Sequence, residues 1–193
     1  MRRMETRVRP MTEADCEAVG ALRVDGWRHA YAGLMPQSHL DALDPAQDAE
    51  ARRRLLARQP PSVRNMVAVR QGRIAGWACW GPFREEEAPR PTPAHTVTRA
   101  QSTSQSTSPD SELYALYADP EQLSTGLGRL LLQHCVTHCA DAGYAHLRLW
   151  VLAGNLRARR FYERAGLMAD GAEQVDMVDG VPITEVRYSM TLG

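Results

Sequence analysis

The sequence has no surplus of either charge: Lys plus Arg and Asp plus Glu both number 23 in 193 residues. A chain without a cationic excess has no general attraction to a phosphate backbone, so nucleic acid is not expected as a partner. Long apolar runs are missing as well. No stretch is long enough to cross a bilayer, and the basic opening Met1-Arg2-Arg3-Met4-Glu5-Thr6-Arg7 is not followed by the apolar core of a secretory signal. No membrane partner is therefore expected, and the expected location is the cytoplasm. Cysteine is sparse. Cys16, Cys79, Cys135 and Cys139 are scattered through apolar segments, where a reducing compartment leaves them as thiols filling the core.

What is present reads as one soluble α/β domain over 1–193. The hydrophobic and charged fractions, 44% and 24%, are ordinary for a globular protein, and the length suits a single core. Thr6-Arg7-Val8-Arg9 before Pro10 predicts a short strand. Thr12-Glu13-Ala14-Asp15 resembles a capping box with Asp in place of Glu, opening a helix with apolar Cys16, Val19, Leu22 and Trp27 at near-helical spacing. Pro36 starts a short helix through Leu43, and Pro45 another to about Arg58, stopped by Pro60-Pro61. The runs 65–69 and 74–80 predict a hairpin around Arg70-Gln71-Gly72-Arg73. A strand at 112–118, a helix at 126–142, a strand at 146–152, a helix at 155–165 and a last strand at 184–192 complete a mixed sheet flanked by helices.

Residues 84–111 stand apart. They hold four prolines and ten Ser or Thr with almost no large apolar residue, too little to offset the entropy of ordering. A flexible insertion within the one domain is expected there.

The chemistry concentrates in two places. After the strand and Pro120, Leu123-Ser124-Thr125-Gly126-Leu127-Gly128-Arg129 runs straight into a helix. Glycines at such a junction let successive N–H groups converge, and the helix's positive end attracts an anion such as a pyrophosphate. Leu131 stands where a dinucleotide fingerprint needs a third Gly, and Gly-Lys-Ser/Thr is absent, so neither of those phosphate motifs applies. The second place is Asn155-Leu156-Arg157-Ala158-Arg159-Arg160-Phe161-Tyr162-Glu163-Arg164-Ala165-Gly166-Leu167, directly after a strand.

Together the two segments resemble the acetyl-coenzyme A core of the GNAT (GCN5-related N-acetyltransferase) superfamily. Its first motif, Gln/Arg-x-x-Gly-x-Gly/Ala, is matched at Gly126 and Gly128 but has Leu123 at the Gln/Arg position, with Gln122 one residue early. In the second motif Asn155, Ala158, Phe161, Tyr162, Gly166 and Leu167 fall in register. The likeness is strong over 112–167, extends back toward Val8, and fades after Gly171.

The resemblance implies a strongly twisted mixed sheet, splayed where acetyl-CoA inserts between two strands, and direct transfer of acetyl to an amine. It implies that Leu116, Tyr117 and Ala118 offer backbone groups to the pantetheine and thioester. Ser124, Thr125, Gly126, Leu127, Gly128 and Arg129 would hold the pyrophosphate, and Asn155 would bond the pantetheine. Tyr162, two helical turns beyond Asn155, would protonate the leaving thiolate. Glu112 opens the strand that carries the thioester site and is the candidate base, taking the amine proton through a water, with a solvated carboxylate at a strand end as the other reading; Trp150 stands where some relatives carry an acid. Trp27, Tyr31, Trp80 and Phe83 are candidates for the acceptor wall.

Other readings stay open. His134, Cys135, His138 and Cys139 have i,i+4 spacing on one helix, but adjacent positions diverge, so core cysteines beside partly exposed histidines are expected and no metal. A non-catalytic acyl-CoA sensor of the same fold is the alternative, and the intact Tyr162 favours the enzyme. An interaction module organised around 84–111 is a further rival. The expected partner is a small-molecule or peptide amine, with a homodimer as the alternative to a monomer. Antibiotic, polyamine, amino acid and protein N-terminus all remain open as acceptors.

Overall fold

Alternation along one central strand organises the molecule. A computed structural model describes residues 6–84 and 109–193, so the expected insertion at 84–111 lies, apart from its two ends, outside the described residues. Strand β3 (Arg73–Pro82) is buried on both faces over most of its length. Trp77 and Cys79 point to one side, where Cys16, Val19 and Leu22 of α1 (Cys16–Tyr31) pack. Ala78 and Trp80 point to the other, against Leu131, Cys135 and Cys139 of α4 (Leu127–Asp141). Period-two side chains on a strand sandwiched between helices produce two cores from one run.

The remaining strands are β1 (Thr6–Pro10), β2 (Arg64–Arg70), β4 (Ser111–Ala118), β5 (His146–Leu152), β6 (Met168–Val178) and β7 (Val181–Thr191). They form one seven-stranded sheet in the order β1-β2-β3-β4-β5-β7-β6. All neighbours are antiparallel except β4 and β5, which pair in parallel. That parallel pairing holds at Ser111–Leu147 and Glu112–Arg148 and then stops. Beyond it the sheet opens. An extra residue in β4, Tyr114, is left without a partner where the β3 register shifts between Cys79 and Trp80, and such a bulge bends a strand and raises its twist. The expected mixed, splayed sheet is what the chain forms.

Helices α2 (Gln37–Asp41), α3 (Pro45–Arg58) and α5 (Leu156–Arg164) complete the layers. α3 begins at its proline, as expected, and Asp44 caps it by accepting from the Ala46 and Gln47 amides at 2.7 and 3.0 Å. The β2–β3 turn has positive φ at both Gln71 and Gly72, the two-residue hairpin geometry its sequence suggested. The helices expected from Gly126 and Asn155 each start one residue later, with those two residues as caps. The expected last strand at 184–192 runs from Val181 to Thr191. β6 went unread, although Asp179-Gly180, with φ of 48° and 79°, is a recognisable hairpin turn between it and β7.

The box at Thr12–Asp15 forms in altered shape, opening a short 3-10 turn ahead of α1. The Asp15 carboxylate accepts from the Thr12 amide at 2.8 Å and the Thr12 hydroxyl at 2.9 Å, and Arg9 grips it in a two-pronged pair at 2.6 and 2.8 Å. The Arg9 hydrogen bonds lower its pKa to about 2, overcoming the opposing effect of burial. A carboxyl depressed in the folded state stabilises above its unfolded pKa, and that contribution is lost as pH falls through the folded value. Urea unfolding from pH 5 to pH 2 should therefore show wild type losing about 2 kcal/mol more than Asp15→Asn over that range. Parallel pH profiles would show that the pair carries no such stability.

Candidate active site

The opened sheet creates a cavity of about 1170 Å³ between β4 and β5, continuing under α1 and α3. At one end lies the glycine turn. Ser124 and Gly126 both adopt positive φ, 64° and 92°, and Gly126 caps α4 in the left-handed region that glycine enters without strain. The first intrahelical bond runs from the Leu130 amide to the Gly126 carbonyl at 3.0 Å. The amides of Leu127, Gly128 and Arg129 precede it and face no helical acceptor. Arg157 of α5 reaches the Ser124 hydroxyl at 3.3 Å, so Arg129 and Arg157 flank a mouth already positive from the helix end. This is a fit for a pyrophosphate.

Gln122, one residue from the Gln/Arg position of the resemblance, lines the cavity, but its side chain is engaged within the protein. Its side chain donates to Asp119 at 2.9 Å and accepts from Arg70 at 3.3 Å, while Arg70 also donates to the Thr125 hydroxyl at 2.9 Å. These bonds brace the turn.

Asn155 lines the cavity, but its side-chain oxygen caps α5 by accepting from the Ala158 amide at 3.1 Å. Only its Nδ2 is left as a donor toward a pantetheine. Two turns on, Tyr162 is buried against Phe161 with ring centroids 5.1 Å apart, and its hydroxyl meets no hydrogen-bonding group among the described residues. Burial, then the nearby Tyr117 phenol, raises its pKa, so it is a neutral donor across the physiological range. Leu116, Tyr117 and Ala118 of β4 line the same cavity.

The candidate acceptor residues divide. Trp27 and Tyr31, one turn apart on α1, both face the cavity in edge-to-face contact at 5.1 Å, and the Trp27 indole donates to the Tyr117 hydroxyl at 2.7 Å. Trp80 does not belong with them: strand parity turns it to the α4 side, where it meets His138. Phe83 is also outside the cavity wall, set between the guanidiniums of Arg148 and Arg187 at 4.8 and 5.8 Å. Trp77, three residues before Trp80, has the parity that faces the cavity.

Glu112 is not the solvated carboxylate of a strand end. It is 2% exposed and held by Arg84, whose Nη2 donates at 2.7 Å and whose Nε and amide donate at 3.3 and 3.2 Å. Both carboxylate oxygens are thus already engaged by one two-pronged guanidinium. The cysteines of α4 are buried in the core, and among the described residues no group of three or more His, Cys, Asp or Glu is arranged to hold a metal. No helix among them is long and apolar enough to cross a membrane.

Part of the wall was not foreseen. Leu34 and Met35 after α1, Val178 of β6, and Ile183 and Glu185 of β7 also line the cavity, the apolar ones packing with Leu152 and Tyr31. Burial, with Tyr117 and Glu185 close by, pushes the Tyr31 hydroxyl well up, which ties this wall to the tyrosines of the cleft. The Asp179-Gly180 turn was the signal that a β6–β7 hairpin supplies it.

The sequence matches the model of the acetyltransferase (GNAT) family over residues 24–167. The fold superposes on a ribosomal-protein-alanine N-acetyltransferase from Brucella melitensis with a TM-score of 0.70 and 24% identity, covering 96% of this chain and 99% of that one. It superposes on the PaiA N-acetyltransferase of Thermoplasma acidophilum, in complex with coenzyme A, with a TM-score of 0.69 and 16% identity, covering 97% and 99%. At these identities the likeness is one of fold. A stretch of 55 residues is 42% identical to the mycothiol acetyltransferase of Kocuria rhizophila, making up 28% of this chain and 18% of that relative's length.

Proposed function

The chain belongs to the GNAT acetyltransferase family, and from that premise we propose that it transfers acetyl from acetyl-CoA directly to an amine. The observation that carries the reading is that a helix-start glycine turn and a buried tyrosine with an uncommitted hydroxyl face one cavity, at the point where β4 and β5 part.

Acetyl-CoA would enter with its pyrophosphate on the amides of 127–129 and its arm between β4 and α5, placing the thioester near Tyr117 and Tyr162. A neutral amine attacks the carbonyl carbon, the C–S bond breaks, and Tyr162 gives its proton to the departing sulfur. Direct transfer fits the one cysteine among the described residues that lines the cavity. Burial pushes the Cys79 thiol up to about 12, so it stays protonated and is no nucleophile. Glu112 is assigned to anchoring Arg84 rather than to taking the amine proton. Of the carboxylates lining the cavity, Glu185 shares the surroundings of Tyr31 and is the group better placed to receive that proton through water.

Two measurements test the reading. Acetyl-CoA at about a hundred times its Kd should raise the melting temperature by roughly 5–10 °C. An amine panel with thiol detection should then show coenzyme release that depends on the amine. A thermal shift with no amine-dependent thiol release from any member would identify a coenzyme-binding sensor of the same fold instead.

A further inference from the structure

The reaction above uses the cavity from the glycine turn to Tyr162. Past Tyr117 the cavity continues into a lobe beneath α1 and α3, lined by Trp77, Asn65, Arg23 and Arg52. Tyr117 joins the two parts: its ring stacks on Trp77 with centroids 6.0 Å apart and an interplanar angle of 7°.

Charge in this lobe does not balance. Asp48 of α3 makes a close ion pair with Arg23 and stands 3.8 Å from Arg52 Nε. One carboxylate thus serves two guanidiniums whose side chains are 12% and 14% exposed, leaving one net positive charge. The neighbouring Arg84–Glu112 pair is closed on itself at 2.7 Å. Arg52 Nε and Asp48 Oδ2, 3.8 Å apart, are both buried with no hydrogen-bond partner, and among the described residues no acceptor meets Arg52 Nη1 or Nη2. Burial, followed by the repulsion of Arg23, lowers its pKa, yet a guanidinium stays charged in proteins. The group is held in place: it lies 5.5 Å from the centre of the Trp77 ring. Asn65 accepts from the Trp77 indole at 3.0 Å and donates to Gln59 at 2.7 Å.

A planar five-donor cation beside an aromatic ring, with Asp48 in ion-pair range but no hydrogen-bond acceptor, matches a planar carboxylate. One unbalanced positive charge suits a monoanion better than a phosphate dianion, and it repels the second ammonium of a polyamine. We propose that this lobe binds a carboxylate of the acceptor through Arg52, so that the acceptor is an amine of the amino-acid class. The amine's role rests on the acetyl-transfer reading, whereas the carboxylate subsite stands without it.

The test is binding rather than turnover. Calorimetry on the enzyme saturated with coenzyme A would compare N-acetyl-L-phenylalanine, N-acetyl-L-methionine, N-acetyl-L-leucine and N-acetyl-L-glutamine with their carboxamides. At least one acid should bind about tenfold or more tighter than its amide, as a charge-assisted hydrogen bond requires. That preference should vanish in Arg52→Met and survive in part in Arg52→Lys, with the acetyl-CoA thermal shift unchanged in both. Equal binding of every acid and amide by wild type overturns the proposal, as does a preference that persists undiminished in folded Arg52→Met. A carboxylate preference without acetylation of any free amino acid would retain the subsite and overturn the amino-acid class of the acceptor, whereas the transfer reading itself falls only if no amine of the panel releases thiol.

Discussion

Replacing Tyr162 by Phe should lower kcat at least about a hundredfold while leaving the fold and the KM for acetyl-CoA nearly unchanged, provided chemistry limits turnover. The ring is packed by Phe161 and Tyr188, at centroid distances of 5.1 and 6.4 Å, and Phe keeps both contacts. Only the hydroxyl goes, and among the described residues no hydrogen bond depends on it. General-acid catalysis contributes about 10²–10⁴-fold, the size of loss expected if that hydroxyl protonates the departing thiolate. The loss should shrink with acyl donors whose thiol is more acidic, because a better leaving group needs less protonation. Since burial raises the Tyr162 pKa, the wild-type rate should also show no loss of this acid up to about pH 10. Turnover by Tyr162→Phe within a few-fold of wild type would make Tyr162 a packing residue and leave the proton to water.

The second large effect is expected at Gly128. A Cβ there would meet Phe161 Cζ at 3.4 Å and Leu116 Cδ2 at 3.6 Å, ordinary contact distances, so Gly128→Ala should fold. The branched carbons of Gly128→Val would grow into the gap between β4 and α5 through which the coenzyme arm must pass. The acetyl-CoA thermal shift of roughly 5–10 °C should therefore persist with Ala and disappear with Val. The two variants separate loss of backbone freedom from loss of space, because Gly128, unlike Gly126, does not need positive φ. An undiminished shift in folded Gly128→Val would remove the coenzyme from this turn.

The glycine-turn end of the cavity was legible in the chain because its parts are local. A strand, a proline, two glycines and a helix start occupy consecutive positions, so hydrogen-bond geometry within about a dozen residues makes the cradle. Asn155 and Tyr162 are two turns of one helix, and helical period alone puts them on a common face. The acceptor half is of a different kind. Trp77 and Trp80 sit on one strand with equal aromatic promise, and only the helices packed on each face decide which of them meets the cavity. Glu112 looked like an exposed strand end until Arg84, 28 residues away, closed on it. Arg52 is the first of three consecutive arginines on α3, which nothing in the sequence sets apart from one another. Its burial against Trp77 and its competition with Arg23 for Asp48 exist only because α1, α3 and β3 converge. Sequence by itself determined where the glycine turn and the helix start fall, since backbone conformation there follows from neighbouring residues. Tertiary structure decided which charges are left unbalanced and which aromatics face the acceptor, since burial and pairing belong to residues the chain keeps far apart.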